Sequence, residues 1–483
     1  MSLAIGLATE VLLIRYLSKP DYGAFVYALS IASIGSSIAV FGFDKVVGRF
    51  IPIYEEREQW DRVAGTLVFM LAIIIAIGTA IVLLIYGGQA WLAGGLVRDG
   101  NALALLLIVS VLIPVQALSS FQTSLLAVFA SPRAIFVRRY VLAPGLDFLV
   151  VLLLILFSAD VRFVAVGYVI AEIVGVVIFS AIILRVLIDR GVIARVRAAG
   201  ISMPVREIIG FTLPVLSSDV VFILRIPLLI VLLEALGSTS DVADFRAVVP
   251  IARQNLLLYQ SFALLFTPLM SRLFARGDTR GINEVYWRSA IWIALGSFPI
   301  FVASFALARP LAIFLFGPAY AASGLILALL SLGFYFTAAL GYNGLTLRIL
   351  GHVRYILTVN VTMAVGLVPA SFALISAFGA NGAAIAFCGS LIVQNILYQL
   401  GLARVAMFDV FQVRYVSAYL SVASGVIVLT AIQVLLTPPL AVGIALAIGI
   451  SSVVIWANRK VLDVGDTFPE LLRVPLLRRF LAG

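Results

Sequence analysis

The chain has 483 residues, of which 63% are hydrophobic and 12% charged, and its mean hydropathy is +1.17. A soluble protein of this size has too little interior to hide so many apolar side chains, so the composition excludes a soluble fold. The net charge of +10 is spread over short segments rather than gathered in one place. This distribution argues against nucleic acid as a partner.

Polar, glycine and proline clusters divide the chain into fourteen expected membrane spans. Runs of 18 or more mostly uncharged residues recur from end to end, and a helix of that length crosses a hydrocarbon layer of ~30 Å. The expected fold class is therefore an all-α polytopic membrane protein. Its spans are expected to begin near residues 2, 22, 62, 101, 135, 162, 207, 242, 285, 319, 353, 380, 413 and 438.

Lysine and arginine are divided unequally between the two sets of loops. Loops after even-numbered spans, together with the C-terminal tail, hold 25 of these residues, whereas loops after odd-numbered spans hold 5. Basic residues concentrate in cytoplasmic loops. We therefore expect a multi-pass protein of the plasma (inner) membrane with both termini in the cytoplasm.

The segments between the expected spans are short, and the longest runs from Asp189 to Arg206. They hold no GxxxxGK[ST] phosphate-binding loop and leave no room for a nucleotide-binding domain. The single histidine, His352, and the single cysteine, Cys388, argue against a histidine-based metal site and a disulfide framework. We expect a transporter without catalytic residues, cofactor or metal, and a membrane-embedded glycan polymerase or ligase is the enzyme alternative.

Two distant stretches of the chain are similar to each other. The sequence "YLSKPDYGAFVYALSIA" (16–32) resembles "ALGSTSDVADFRAVVPIA" (235–252), and each joins an odd-numbered span to the next. An offset of six spans predicts two repeated lobes, an arrangement common in transporters. The expected division is an N-terminal lobe (1–190, spans 1–6), a cytoplasmic linker (191–205), a C-terminal lobe (206–405, spans 7–12) and two further spans with a cytoplasmic tail (406–483).

Four stretches carry a resemblance to a known family. They are "RYLSKPDYGAFVYALSI", "FGFDKVVGRFIP", "FLFGPAYAASGLILALLSLG" (314–333) and "FGANGAAIAFCGSLIVQN" (378–395). Their order and spacing resemble the polysaccharide transporters, the O-antigen-type flippases of the multidrug/oligosaccharidyl-lipid/polysaccharide (MOP) exporter superfamily. The resemblance covers residues 1–405 and implies a V-shaped, two-lobed, MATE-like transporter.

The same resemblance implies a function. Members of this family move polyprenyl-diphosphate-linked oligosaccharides, such as O-antigen repeat units, across the plasma membrane by alternating access. The implied partners are the lipid-linked oligosaccharide, membrane lipids and the proteins of polysaccharide polymerisation and assembly. Lipid II flippases and cation-coupled multidrug exporters have the same fold, so the cargo stays open.

Span eight carries the candidate substrate-binding residues Arg246, Arg253 and Gln260, which are spaced seven apart. At ~100° per residue they share one helix face over ~21 Å, and Pro250 could kink the helix between them. Guanidinium groups bind phosphate and carboxylate oxygens in pairs. We expect a cationic stripe for the diphosphate or acidic sugars; the alternative is that Arg246 reaches the membrane interface and Arg253 pairs with an acid.

Other charged residues in or near the spans are further candidates, because ionisable groups in a membrane usually face a cavity or a partner. The substrate-binding candidates are Asp219 and Arg225 of span seven, Arg15 of span one, and Lys45 and Arg49 at the cytoplasmic end of span two. The coupling or ion-pair candidates are Glu10, Asp44, Asp147 and Glu172. For each, an interfacial anchor or a structural ion pair is the simpler alternative.

Overall fold

The computed structural model describes residues 2–95, 99–129, 136–212, 224–405 and 412–462. These residues form helices and short connections, and no β-strand occurs among them. Ten of the described helical stretches are long and apolar enough to cross a membrane, and two shorter apolar helices accompany them. Large apolar side chains such as Leu83 and Leu84 point outward and are mostly exposed. The expected all-α polytopic membrane fold is confirmed.

The chain divides into two compact units, residues 1–246 and 247–483. The lobes expected from the sequence repeat, which end at residue 190 and begin again at residue 206, are a different division of the chain, and they stay a prediction. In the first unit, α2 packs against α6, α7 and α12. The helices of this unit are α1 (Ser2–Tyr16), α2 (Lys19–Val40), α3 (Phe43–Glu56), α4 (Trp60–Gly87), α5 (Gln89–Gly95), α6 (Gly100–Ser110), α7 (Leu112–Phe129), α8 (Ala143–Leu156), α9 (Val161–Asp189), α10 (Val192–Ala199), α11 (205–212) and α12 (Arg225–Leu236).

Helix α13 (Thr239–Arg253) contains the boundary between the units. The second unit is built around α15, whose Trp287 and Phe298 are fully buried and which packs against α14, α17, α20 and α21. The helices after α13 are α14 (Leu257–Ala275), α15 (Thr279–Ala306), α16 (Ala308–Phe316), α17 (Ser323–Ala339), α18 (Asn343–Ile349), α19 (Val353–Val405), α20 (Val416–Leu436), α21 (Leu440–Ala457) and α22 (Arg459–Leu462).

Backbone breaks fall where the sequence predicts the ends of spans. Between α2 and α3, Phe41 and Gly42 are both left-handed, with φ of 51° and 71°. This break lies immediately before the charged stretch that begins at Asp44. Helix α19 bends at Gly379, whose φ of 55° suits a residue without a Cβ atom, and so contains two of the predicted spans.

The two similar stretches adopt the same local structure. At the start of α2, the Ser18 hydroxyl donates to Asp21 (2.6 Å) and accepts from the Asp21 backbone N–H (3.3 Å). Ser238 makes the same two contacts with Asp241, at 2.7 Å and 3.2 Å. A serine in the cap position satisfies an N–H group that has no partner within the helix. The sequence similarity therefore reflects a repeated helix start.

Candidate functional site

An ion pair between α1 and α13 lies inside the first unit. The Arg246 guanidinium donates from Nη1 to Oε1 of Glu10. The Tyr22 hydroxyl of α2 donates to the same oxygen at 3.2 Å. The side chains of Arg246 and Glu10 remain 31% and 22% exposed, so the pair is only partly withdrawn from its surroundings. Arg246, expected as one member of a cationic stripe, is thus neutralised by a carboxylate 236 residues away in the chain.

A cavity of about 310 Å³ adjoins this pair. Its wall includes Glu10, Tyr22, Asp147, Tyr168 and Arg246, and most of the remaining wall is apolar. The volume is at the lower end of the range typical of small-molecule sites. The cavity therefore brings the expected substrate residue Arg246 together with two of the expected coupling residues.

A second, smaller cavity of about 50 Å³ is also lined by Asp147. Its other charged lining residues are Arg138, in a π-helical turn before α8, and Glu172 of α9. Arg138 is only 8% exposed; it donates to the backbone carbonyl and the hydroxyl of Ser119, and its guanidinium lies 4.6 Å from the centre of the Phe179 ring. The coupling or ion-pair candidates Asp147 and Glu172 thus line one cavity together with Arg138.

Carboxylates outnumber guanidinium groups in the walls of these two cavities. Glu10, Asp147 and Glu172 stand against Arg138 and Arg246, which is one negative charge in excess. Within the described part of the chain, neither Asp147 nor Glu172 makes a hydrogen bond or ion pair. Uncompensated charge in a low-dielectric region is costly. The cationic stripe predicted for span eight stays a prediction, and Arg246, its one member in these walls, lies among three carboxylates.

Arg253 and Gln260 lie beyond the boundary, in the second unit, and both are exposed. Helix α13 ends at Arg253, and the 3₁₀ helix Gln254–Leu256 separates it from α14. A 3₁₀ helix turns 120° per residue rather than ~100°, which adds about 60° over three residues. Seven α-helical residues turn about 20° short of two full turns, so the 3₁₀ helix moves Gln260 from about 20° on one side of Arg253 to about 40° on the other. A shared helix face for the two residues stays a prediction.

The basic residues at the start of α3 lie on its exposed face. Lys45 and Arg49, the substrate-binding candidates expected at the cytoplasmic end of span two, are both exposed. The Arg49 guanidinium lies 4.6 Å from the ring centre of Phe211 and 5.7 Å from that of Phe50. Aromatic rings hold a guanidinium by its face and leave its N–H edge accessible. The side chain of Asp44 lies outside the described residues.

Two further candidates, Arg15 and Arg225, do not line these cavities. Arg15 is exposed in the last turn of α1, which fits an interfacial position. Arg225 is buried at the start of α12, and Asp219 lies outside the described residues. Among the described residues, no group of three or more His, Cys, Asp or Glu side chains is placed to hold a metal ion.

Sequence reasoning missed three residues of the site. The positive-inside pattern assigns Arg138 to a cytoplasmic loop, but its side chain is buried and lines the smaller cavity. Tyr22 and Tyr168 were not singled out, because tyrosines near span ends are common at membrane interfaces. The one available signal was the position of Arg138 nine residues before Asp147, at the start of the same predicted span.

The described architecture has the fold of known multi-pass membrane transporters. The structure of the lipid II flippase MurJ in an inward closed conformation aligns with 95% of this chain and 98% of its own. The TM-score is 0.72 and the sequence identity is 15%. An inward-facing multidrug resistance MATE family transporter aligns with 84% of this chain and 96% of its own (TM-score 0.65, 18% identity). An outward-facing multidrug resistance MATE family transporter aligns with 84% of this chain and 94% of its own (TM-score 0.52, 16% identity). At these identities the likeness shows the fold.

The family is shown by the sequence itself. Residues 2–274, more than half of the chain, match the model of the polysaccharide biosynthesis protein family. The chain belongs to this family, and the resemblance drawn from the short motifs is confirmed. Comparison with curated proteins gives no match.

Proposed function

We propose that the protein is a flippase that moves a polyprenyl-diphosphate-linked oligosaccharide across the plasma membrane by alternating access, without enzymatic activity of its own. The observation that carries the proposal is the family match over residues 2–274, in a chain that has the fold of a lipid II flippase along nearly its whole length. A polysaccharide biosynthesis protein built as a multi-pass transporter is suited to moving a lipid-linked intermediate rather than to making it.

The charges of the protein suggest which residues bind which part of the cargo. The oligosaccharide and diphosphate would use the exposed arginines Arg49 and Arg253, whose guanidinium groups match phosphate oxygens, while the polyprenyl tail stays in the bilayer. Arg246 would contribute after release from Glu10. The cytoplasmic location of both termini, the repeated lobes and contact with polymerisation and assembly proteins belong to the same proposal.

The test is mass spectrometry of lipid extracts from a source strain depleted of the protein. A complete polyprenyl-linked oligosaccharide should accumulate and should clear on complementation with the wild-type chain. Arg253→Ala should fail to clear it, whereas Arg272→Ala, which removes another exposed arginine of the second unit, should succeed. Unchanged levels of every lipid-linked glycan would overturn the proposal, and accumulation of single repeat units already outside would indicate a polymerase or ligase.

One observation favours a second candidate, a cation-coupled exporter of small molecules. Such an exporter needs an acidic cavity, and the lining residues of the two cavities in the first unit carry one negative charge in excess. Efflux of a cationic dye from proteoliposomes, lost in Asp147→Asn, would favour this candidate. Absence of efflux together with glycan accumulation in depleted cells would favour the flippase.

A further inference from the structure

We infer that the Glu10 carboxylate occupies the position at Arg246 that an anionic group of the cargo takes when the cargo binds. The cargo anion then displaces Glu10 from the Arg246 guanidinium. This inference rests on the proposed function, since it assigns a role to Glu10 and Arg246 in binding the same anionic cargo. Glu10 then determines specificity, because a molecule can bind the Arg246 guanidinium only if it carries an anion that competes with the Glu10 carboxylate.

The contacts of Glu10 are those that a cargo anion would need. One oxygen, Oε1, accepts from both the Arg246 guanidinium and the Tyr22 hydroxyl. A phosphate or sugar carboxylate oxygen has the same acceptor chemistry and prefers the same charge-assisted donors. An anion that replaced Glu10 would therefore find two oriented donors on two different helices, α2 and α13.

The surroundings leave room for the exchange. The pair lies in the wall of the cavity of about 310 Å³, and both side chains keep part of their surface exposed. The nearby wall also holds Tyr168 and the side chain of Thr9, whose hydroxyl donates to the Ile5 carbonyl. An arriving group meets the guanidinium at the cavity surface rather than inside a closed core.

Competition sets the direction of the expected effect. Binding of an anion to Arg246 must break the contact with Glu10, so the measured affinity is the difference between two ion pairs. A partly exposed ion pair contributes up to about 1 kcal/mol, and somewhat more as water is excluded, so about 0.7–1.4 kcal/mol is expected for this one. Removing the Glu10 charge should therefore tighten anion binding about three- to tenfold.

Asp147 supplies a matched control for simple repulsion. Its carboxylate lines the same cavity, and within the described part of the chain it makes no ion pair with Arg246. A general electrostatic effect would appear in Asp147→Asn and Glu10→Gln alike, because each removes one negative charge from the cavity wall. Direct exchange at Arg246 requires a clearly larger effect in Glu10→Gln.

The experiment is calorimetric titration of purified protein with farnesyl diphosphate, inorganic pyrophosphate and glucuronate. Comparison of pyrophosphate with glucuronate shows whether the site prefers a phosphate or a sugar carboxylate. The proteins are wild type, Glu10→Gln, Asp147→Asn and the neutral double variant Glu10→Gln/Arg246→Gln, each with a thermal unfolding curve to show that it is folded. We expect Glu10→Gln to bind at least one probe about three- to tenfold more tightly, and the double variant to lose that gain.

The outcomes separate the inference from the proposed function. Equal tightening in Glu10→Gln and Asp147→Asn, or none in Glu10→Gln, overturns the exchange. Retention of the gain in the double variant overturns the role of Arg246. Glycan accumulation in depleted cells tests the flippase independently, so the exchange at Arg246 can fail while the proposed function stands. Tighter anion binding in Glu10→Gln without glycan accumulation would instead support the exchange and overturn the flippase.

Discussion

Lys19 Nζ lies 2.7 Å from Asp244 Oδ2 and joins the first turn of α2 to α13. The two side chains are 20% and 10% exposed, so the pair is better shielded than the Glu10–Arg246 contact. Both residues belong to the stretches that the sequence repeat relates, and both stretches begin with the same serine–aspartate cap. Two repeated helix starts are therefore in direct contact within the first unit.

Reversing the charge of Lys19 should destabilise this contact. In Lys19→Glu the shielded Asp244 carboxylate would face a second negative charge, at a cost of about 1–3 kcal/mol, between the values for exposed and buried pairs. The measurement is the thermal unfolding of purified protein in detergent. Adding Asp244→Lys should restore part of the loss, whereas Arg190→Glu at an exposed position should change little. A double variant no more stable than Lys19→Glu would contradict the pairing.

The same helix starts approach too closely for a side chain at Gly23. A Cβ atom there would lie 1.8 Å from the Thr239 carbonyl oxygen, a backbone atom that cannot move aside by itself. We expect Gly23→Ala to lower stability by about 1–3 kcal/mol, as overpacking usually does.

Gly48 in α3 provides the control, because nothing lies within 4 Å of a Cβ atom placed on it. Gly48→Ala should be neutral or stabilising, by up to about 1 kcal/mol, through its higher helix propensity. Comparison of the two melting curves checks the close approach at Gly23. Equal stability of the two variants would contradict the contact between α2 and α13.

Much of the fold could be predicted because it depends on local patterns. Apolar runs, the cap at Ser18 and the break before Asp44 are all encoded within a few residues. The partners of buried charges could not be predicted in this way. Glu10 and Arg246 are 236 residues apart, and nothing near either one in the sequence specifies the other.

Arg138 shows a second limit of the sequence. A basic residue before an apolar run is typical of a cytoplasmic loop, and the positive-inside pattern assigns it there. Its burial depends instead on Ser119 and Phe179, which belong to helices on either side of it in the chain. Tertiary contacts of this kind override a correct statistical rule, so the smaller cavity was not predicted as a whole.

Loss of the Arg138 guanidinium should be more harmful than loss of a loop arginine. Arg138→Met removes the hydrogen bonds to Ser119 and the positive charge that lines the smaller cavity together with Glu172 and Asp147. We expect a loss of about 3 kcal/mol or more in detergent stability, as when one partner of a buried charge cluster is removed. The added change Glu172→Gln should recover part of it by removing one of the two carboxylates. Arg197→Met, at an exposed position, is the control.

The segment after α9 is attached to the ends of α3 and α4 by contacts of unequal strength. Glu207 accepts from the buried Tyr54 hydroxyl at 2.8 Å and from Arg62 at 3.4 Å, and the latter pair is 50% and 37% exposed. The exposed ion pair should contribute little, whereas the Tyr54 bond should contribute about 1 kcal/mol or somewhat more. Tyr54→Phe should therefore lower the unfolding temperature clearly and Arg62→Gln hardly at all. Glu207→Gln should lie between the two, because its amide oxygen can still accept from the Tyr54 hydroxyl. A larger effect of Arg62→Gln would mean that charge, rather than the tyrosine hydrogen bond, holds this segment in place.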